Sequence, residues 1–218
     1  MTVFIMVMVG WIVSVCLHEF GHALMAYMGG DEGVKRRGHL TNPLTYIQPV
    51  NSILLPILYL SLGGLALPGA AVMVDERRIR WRLMRVMMSL AGPIMSAVAG
   101  LVVAAPFYLG IWSPSDPRPL VIAAGMLVQL QAMAVVFNLL PIPPLDGFQA
   151  VSSLLFSYET KRSLMRLGNW APAILVLVMF RSRGARKLIW GLAFTVTEPL
   201  GLTAGTFERA WDQFRFWL

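Results

Sequence analysis

Long apolar stretches alternate with short polar turns along the whole chain. Residues 3–28, 86–112 and 120–140 are each long enough for a bilayer-crossing helix, which needs about 20 mostly apolar residues. Residues 188–206 form a further candidate span, although Glu198-Pro199 lies inside it. Residues 171–180 are too short to cross unaided, and residues 148–157 continue as helix from the end of the third long stretch. The pattern breaks twice after the first span. Residues 38–50 are mixed and punctuated by proline, which suggests extended strand or loop. Residues 53–73 are apolar but interrupted by Pro56, Gly63-Gly64 and Pro68-Gly69, and Arg77, Arg78, Arg80, Arg82 and Arg85 follow. A full crossing there would place that arginine cluster outside, against the positive-inside rule. A broken or re-entrant segment, buried by protein, is the expectation.

Composition agrees with this pattern. The 218 residues are 57% hydrophobic and 13% charged, with a mean hydropathy of +0.66, whereas soluble domains carry roughly 25% charged residues. The fold class is therefore an all-α polytopic membrane protein with about four to six transmembrane helices, and with room for a short β element after the first. It is expected to form one membrane-embedded domain over residues 1–218, with a core at 1–157 and C-terminal helices at 158–218. The net charge of +7 belongs to arginines in short cytoplasmic loops, not to a nucleic-acid surface. Lys35, Arg36 and Arg37 follow the first span directly and put that end in the cytoplasm. Residues 1–9 lack a basic region and a cleavage site, so the first span is expected to be retained. The single cysteine, Cys16, excludes an internal disulfide and is read as packing.

His18-Glu19-Phe20-Gly21-His22 changes the picture, because it lies inside the first span. Histidines four apart on a helix share one face and can both bind one Zn²⁺. A glutamate beside them is placed to take a proton from water at the metal, so H-E-x-x-H is a metalloprotease mark. Ionisable groups at such depth are costly unless satisfied, which favours a functional reading. Catalytic zinc usually has three protein ligands. Asp146, in the proline-rich run Asn138-Leu139-Leu140-Pro141-Ile142-Pro143-Pro144-Leu145-Asp146-Gly147, is the leading candidate for the third. Charge bias and span counting bring it to the depth of His18 and His22. His39 is a rival that suits a loop better. Asn138 could hydrogen-bond a substrate backbone or make an interhelical contact.

HEFGH, then Ala91-Gly92-Pro93, then NLLPIPPLDG together resemble the site-2 protease family of intramembrane zinc metalloproteases, in its compact prokaryotic type. The resemblance covers roughly residues 10–157. It implies a multi-pass protein of a prokaryotic inner membrane with its active site toward the cytoplasm. One zinc ion per chain would be held by His18, His22 and Asp146, with Glu19 as the base and Asn138 handling the substrate. The partners implied are the lipid bilayer and a membrane protein or peptide that is cut within or near the membrane, and no nucleic acid. Two departures stand out. Tyr46-Ile47-Gln48-Pro49 replaces the His-x-Asp-Pro common in the compact subgroup, and Ser96 stands where Asn is usual after AGP. The alternatives are a non-proteolytic metal-binding scaffold and a transporter. Intact Glu19 speaks against the first, and Gln129 and Gln131 are too few polar groups for the second.

Overall fold

The computed structural model describes residues 1–47, 74–167 and 181–217, with a few isolated positions between them, and the regular structure among them is entirely helical. Helix α1 spans Thr2–Met28 and is followed by a short α2, Gly33–Arg36. Residues Pro43–Tyr46 form a 3-10 turn opened by Asn42, whose side chain accepts from the Leu44 N–H; of the strand or loop expected over residues 38–50, the described part is loop and turn. Residues 48–53, 55–56 and 58–73, which hold most of the expected re-entrant segment, lie outside the described residues.

After a second 3-10 turn, Glu76–Arg78, helix α3 runs Arg82–Tyr108 and helix α4 runs Pro119–Asn138. α4 begins with proline, whose missing N–H is one the first helical turn leaves unbonded anyway. Helices α1, α3 and α4 are the three described helices long and apolar enough to cross a membrane, against the four to six expected. The chain continues through α5 (Asp146–Leu155) and α6 (Tyr158–Leu167). The expected last span, 188–206, is divided. α7 covers Arg183–Thr197, a 3-10 turn takes Glu198–Leu200, and Gly201 adopts φ 73° before α8, Ala204–Phe214. Pro199 cannot continue a helical hydrogen-bond ladder, and Gly201 accepts the left-handed turn that follows. The 15 residues of α7 reach about 22 Å, short of the roughly 30 Å hydrocarbon core.

α1 packs on α3, α3 on α4 and α5, and α4 on α1, α7 and α8. α4 is thus the central helix, with Ala123, Met126, Leu130, Met133 and Phe137 buried. Between α1 and α3 the backbones touch: a Cβ on Gly21 would lie 2.6 Å from the Ala91 carbonyl oxygen. In lipid, apolar burial does not drive helices together, so close approach over small residues carries the packing. Ile5, Val9 and Val13, four apart on the opposite side of α1, remain exposed as a stripe suited to acyl chains. The protein is a membrane protein whose best-packed helix crossing lies beside the H-E-x-x-H sequence.

Candidate metal centre

His18 and His22 project from one face of α1 with their Nε2 atoms 3.1 Å apart. Asp146 comes to them from far along the chain. α4 ends at Asn138, residues 139–145 turn through three prolines, and Leu145 is extended (φ −62°, ψ 159°), so Asp146 opens α5. A carboxylate there suits the positive end of a helix dipole. Gly147 makes the turn feasible, because a Cβ there would meet the Leu140 carbonyl oxygen at 2.8 Å. Asp146 Oδ2 ends 3.2 Å from His18 Nε2, and Oδ1 ends 3.4 Å from His22 Nε2. His18 and Asp146 are buried. Among the described residues, these three form the group able to hold a metal ion.

The second ring nitrogens decide what the first ones offer. His22 Nδ1 lies 2.7 Å from the Met88 carbonyl oxygen. A carbonyl can only accept, so Nδ1 carries the proton and the neutral ring presents a lone pair at Nε2. His18 Nδ1 lies 2.9 Å from Ser96 Oγ, which can accept in the same way. Two lone pairs and a carboxylate then converge, and Asp146 Oδ2 is buried with no hydrogen-bond partner. Such a set calls for a cation. Ligand atoms about 2.0–2.1 Å from a tetrahedral zinc ion stand roughly 3.3 Å apart, and the observed separations bracket that value. The residues fit zinc.

Glu19, beside His18, is buried on the same helix. The turn Pro43–Tyr46 packs against α1 there: Tyr46 sits in a buried cluster with Ala23 and Ala26, joined by Cys16 and Phe20. Burial, reinforced by the Glu19 carboxylate, pushes the Tyr46 phenol up to about 12. Asn138 is buried at the end of α4, and its amide donates to the Ala134 carbonyl of its own helix. His39 stacks on Tyr46 and lies beside the Thr45 hydroxyl, outside the metal group. The rival ligand is therefore a loop histidine.

Two further residues, neither of them among the candidate ligands, stand at the centre. Ser96 orients His18, and Gly92 provides the floor, since a Cβ on Gly92 would lie 2.6 Å from His18 Nε2. Their spacing with Gly100, four residues at a time along one face of α3, is the signal that could have revealed them.

No protein-family model and no solved structure matches the chain. Curated relatives do. Proteins named "Putative zinc metalloprotease" include Rip2 of Mycolicibacterium smegmatis, 38% identical over 99% of this chain and 82% of its own length. Rip2 of Mycobacterium tuberculosis is 40% identical over the same shares, and YwhC of Bacillus subtilis is 30% identical over 82% of this chain and 81% of its own. At such identity along nearly its whole length, the chain belongs to the site-2 protease family of zinc metalloproteases.

Proposed function

We propose that the protein is an intramembrane zinc metalloendopeptidase. It hydrolyses peptide bonds in transmembrane or membrane-proximal segments of other proteins, as a multi-pass protein of a prokaryotic inner membrane with its site toward the cytoplasm. One observation carries this reading: two imidazoles and a distant carboxylate meet within 3.4 Å beside a buried glutamate, on a helix apolar enough to cross a bilayer. His18 lies ten residues before the end of α1, about 15 Å along the helix axis.

His18, His22 and Asp146 would hold one zinc ion, which supplies the Lewis acidity that acidifies water and polarises a peptide carbonyl. The chain's own groups do the rest. Glu19 takes the proton from the attacking water and delivers it to the leaving amine nitrogen. Ser96 and the Met88 carbonyl keep both Nδ1 protons in place, so that the Nε2 lone pairs stay turned inward. Asn138 retains a second amide hydrogen beyond the one given to Ala134, and that hydrogen can bond a substrate carbonyl.

A helical substrate hides its carbonyls in its own hydrogen bonds, so the segment that is cut must unwind. Purified protein in lipid should cleave a transmembrane peptide containing helix-destabilising residues faster than its regular counterpart. Glu19→Gln at matched zinc content should lower the rate by about 10²–10⁴-fold. Undiminished cleavage by that variant would overturn the assigned base, and equal cleavage of both peptides would overturn the unwinding requirement.

A further inference from the structure

Asp146 reaches the histidines from a helix that shares little with theirs: α1 and α5 each pack on α3 and not extensively on one another. A series of buried and partly buried polar contacts ties the two together from outside the centre. At the C-terminal end of α1, the carboxylate of Asp31 is fully buried. It accepts from the N–H of Gly33 (3.0 Å) and of Asp75 (2.9 Å), and it pairs with Arg37 (3.4 Å). The Arg80 N–H donates to the Gly29 carbonyl. The segment 75–80 is thereby fastened to the helix that bears His18 and His22.

The same segment reaches α5. Lys161 on α6 is 5% exposed, and its ammonium donates to Glu76 Oε1 (2.8 Å), Glu76 Oε2 (2.9 Å) and Ser153 Oγ (3.0 Å). An ammonium has three hydrogens, and all three are used. Ser153 donates its own hydrogen to Gln149, so its oxygen is free to accept. Arg77 lies over the Tyr158 ring at 5.1 Å and makes a second link between the turn and α6. Ser153 stands two helical turns after Asp146 on one face of α5. The contacts close a ring, from α1 through Asp31, the 75–80 segment, Glu76, Lys161, Ser153 and α5 to Asp146, and back to the histidines.

We infer that Glu76, Lys161 and Ser153 are positioning residues for the metal centre, a clasp that sets where α5 holds Asp146 relative to His18 and His22. This rests on the reading of His18, His22 and Asp146 as zinc ligands. A lysine with every hydrogen bonded inside the protein has one geometry, unlike an exposed pair that samples many. Metal–ligand distances tolerate only about 0.2 Å, so a small slide of α5 along α3 removes the carboxylate from bonding range.

The test is zinc affinity of the full chain in lipid nanodiscs, measured by competition with a chelator, together with the absorption spectrum of the Co²⁺-loaded protein. Lys161→Met and Ser153→Ala should each raise the zinc dissociation constant about tenfold and alter the Co²⁺ spectrum. Lys161→Arg, whose guanidinium can still donate to both Glu76 and Ser153, should keep most of both. Unchanged affinity in Ser153→Ala, or in Lys161→Met while unfolding of the zinc-free protein shifts, would overturn the clasp and leave a structural ion pair. Should Lys161→Met fail to fold, Ser153→Ala decides, because it keeps the ion pair and cuts only the link to α5. Wild-type protein that binds no zinc, or a His18→Ala variant that binds it equally well, would instead overturn the ligand assignment itself.

Discussion

A methyl group on Gly92 would lie 2.6 Å from Nε2 of His18, the same atom that faces Asp146 at 3.2 Å. The floor of the candidate metal centre is therefore the bare backbone of α3. Gly92→Ala should favour the helix intrinsically, since glycine is the poorer helix former by about 1 kcal/mol, yet it should displace the imidazoles. The expected result is a zinc dissociation constant raised on the order of 100-fold with the fold retained. Chelator competition alongside circular dichroism checks both halves.

Ser96 holds His18 by its Nδ1. Ser96→Ala leaves a buried N–H without an acceptor, at a cost of about 1–3 kcal/mol, and should weaken zinc binding by roughly tenfold or more. Ser96→Asn, which restores a side-chain oxygen, should recover much of the loss. Equal zinc affinity in all three proteins would remove Ser96 from the site.

Gly147 has no such flexible neighbour, because the atoms a side chain would strike are the carbonyls of Leu139 and Leu140. Gly147→Ala must lift the first turn of α5 and Asp146 with it. Overpacking of this kind costs about 1–3 kcal/mol. Thermal unfolding in detergent should move down, and bound zinc measured after dialysis should fall with it.

Tyr46 supplies a pH signature. Burial and the nearby Glu19 raise its phenol from the ordinary tyrosine value to about 12. The unfolded chain would lose that proton near pH 10, so between about 10 and 12 the folded state binds more protons and stability falls as pH rises. Below pH 10 the residue contributes no slope. Tyr46→Phe should flatten the alkaline limb of a stability–pH curve across that window, and an unchanged limb would show that another group is responsible.

Local periodicity and the count of spans made much of the candidate centre legible in the sequence. Histidines four apart share a helix face whatever surrounds them, and Asp146 follows an apolar span that returns to the depth the first span reached. Backbone groups in hydrocarbon must bond within their own helix, so the spans of α1, α3 and α4 were read from hydropathy to within about four residues at either end. The same hydropathy failed at 188–206, where Pro199 and Gly201 outweigh an apolar average and divide the expected span into α7 and α8. Proline punctuation over residues 38–50 left strand and loop both open, and the Asn42 cap on the 3-10 turn at residues 43–46 decides for a turn there.

The sequence by itself therefore determined the apolar helices and the shared face of His18 and His22, because each follows from spacing along one element, and it offered Asp146 as the candidate to meet them. Only the tertiary structure decided what surrounds them: Gly92 as the floor, Ser96 and the Met88 carbonyl behind the imidazoles, and Lys161 between Glu76 and Ser153. Those roles arise where one helix crosses another, and a contact between elements depends on their relative rotation and height, which no period within a single element encodes.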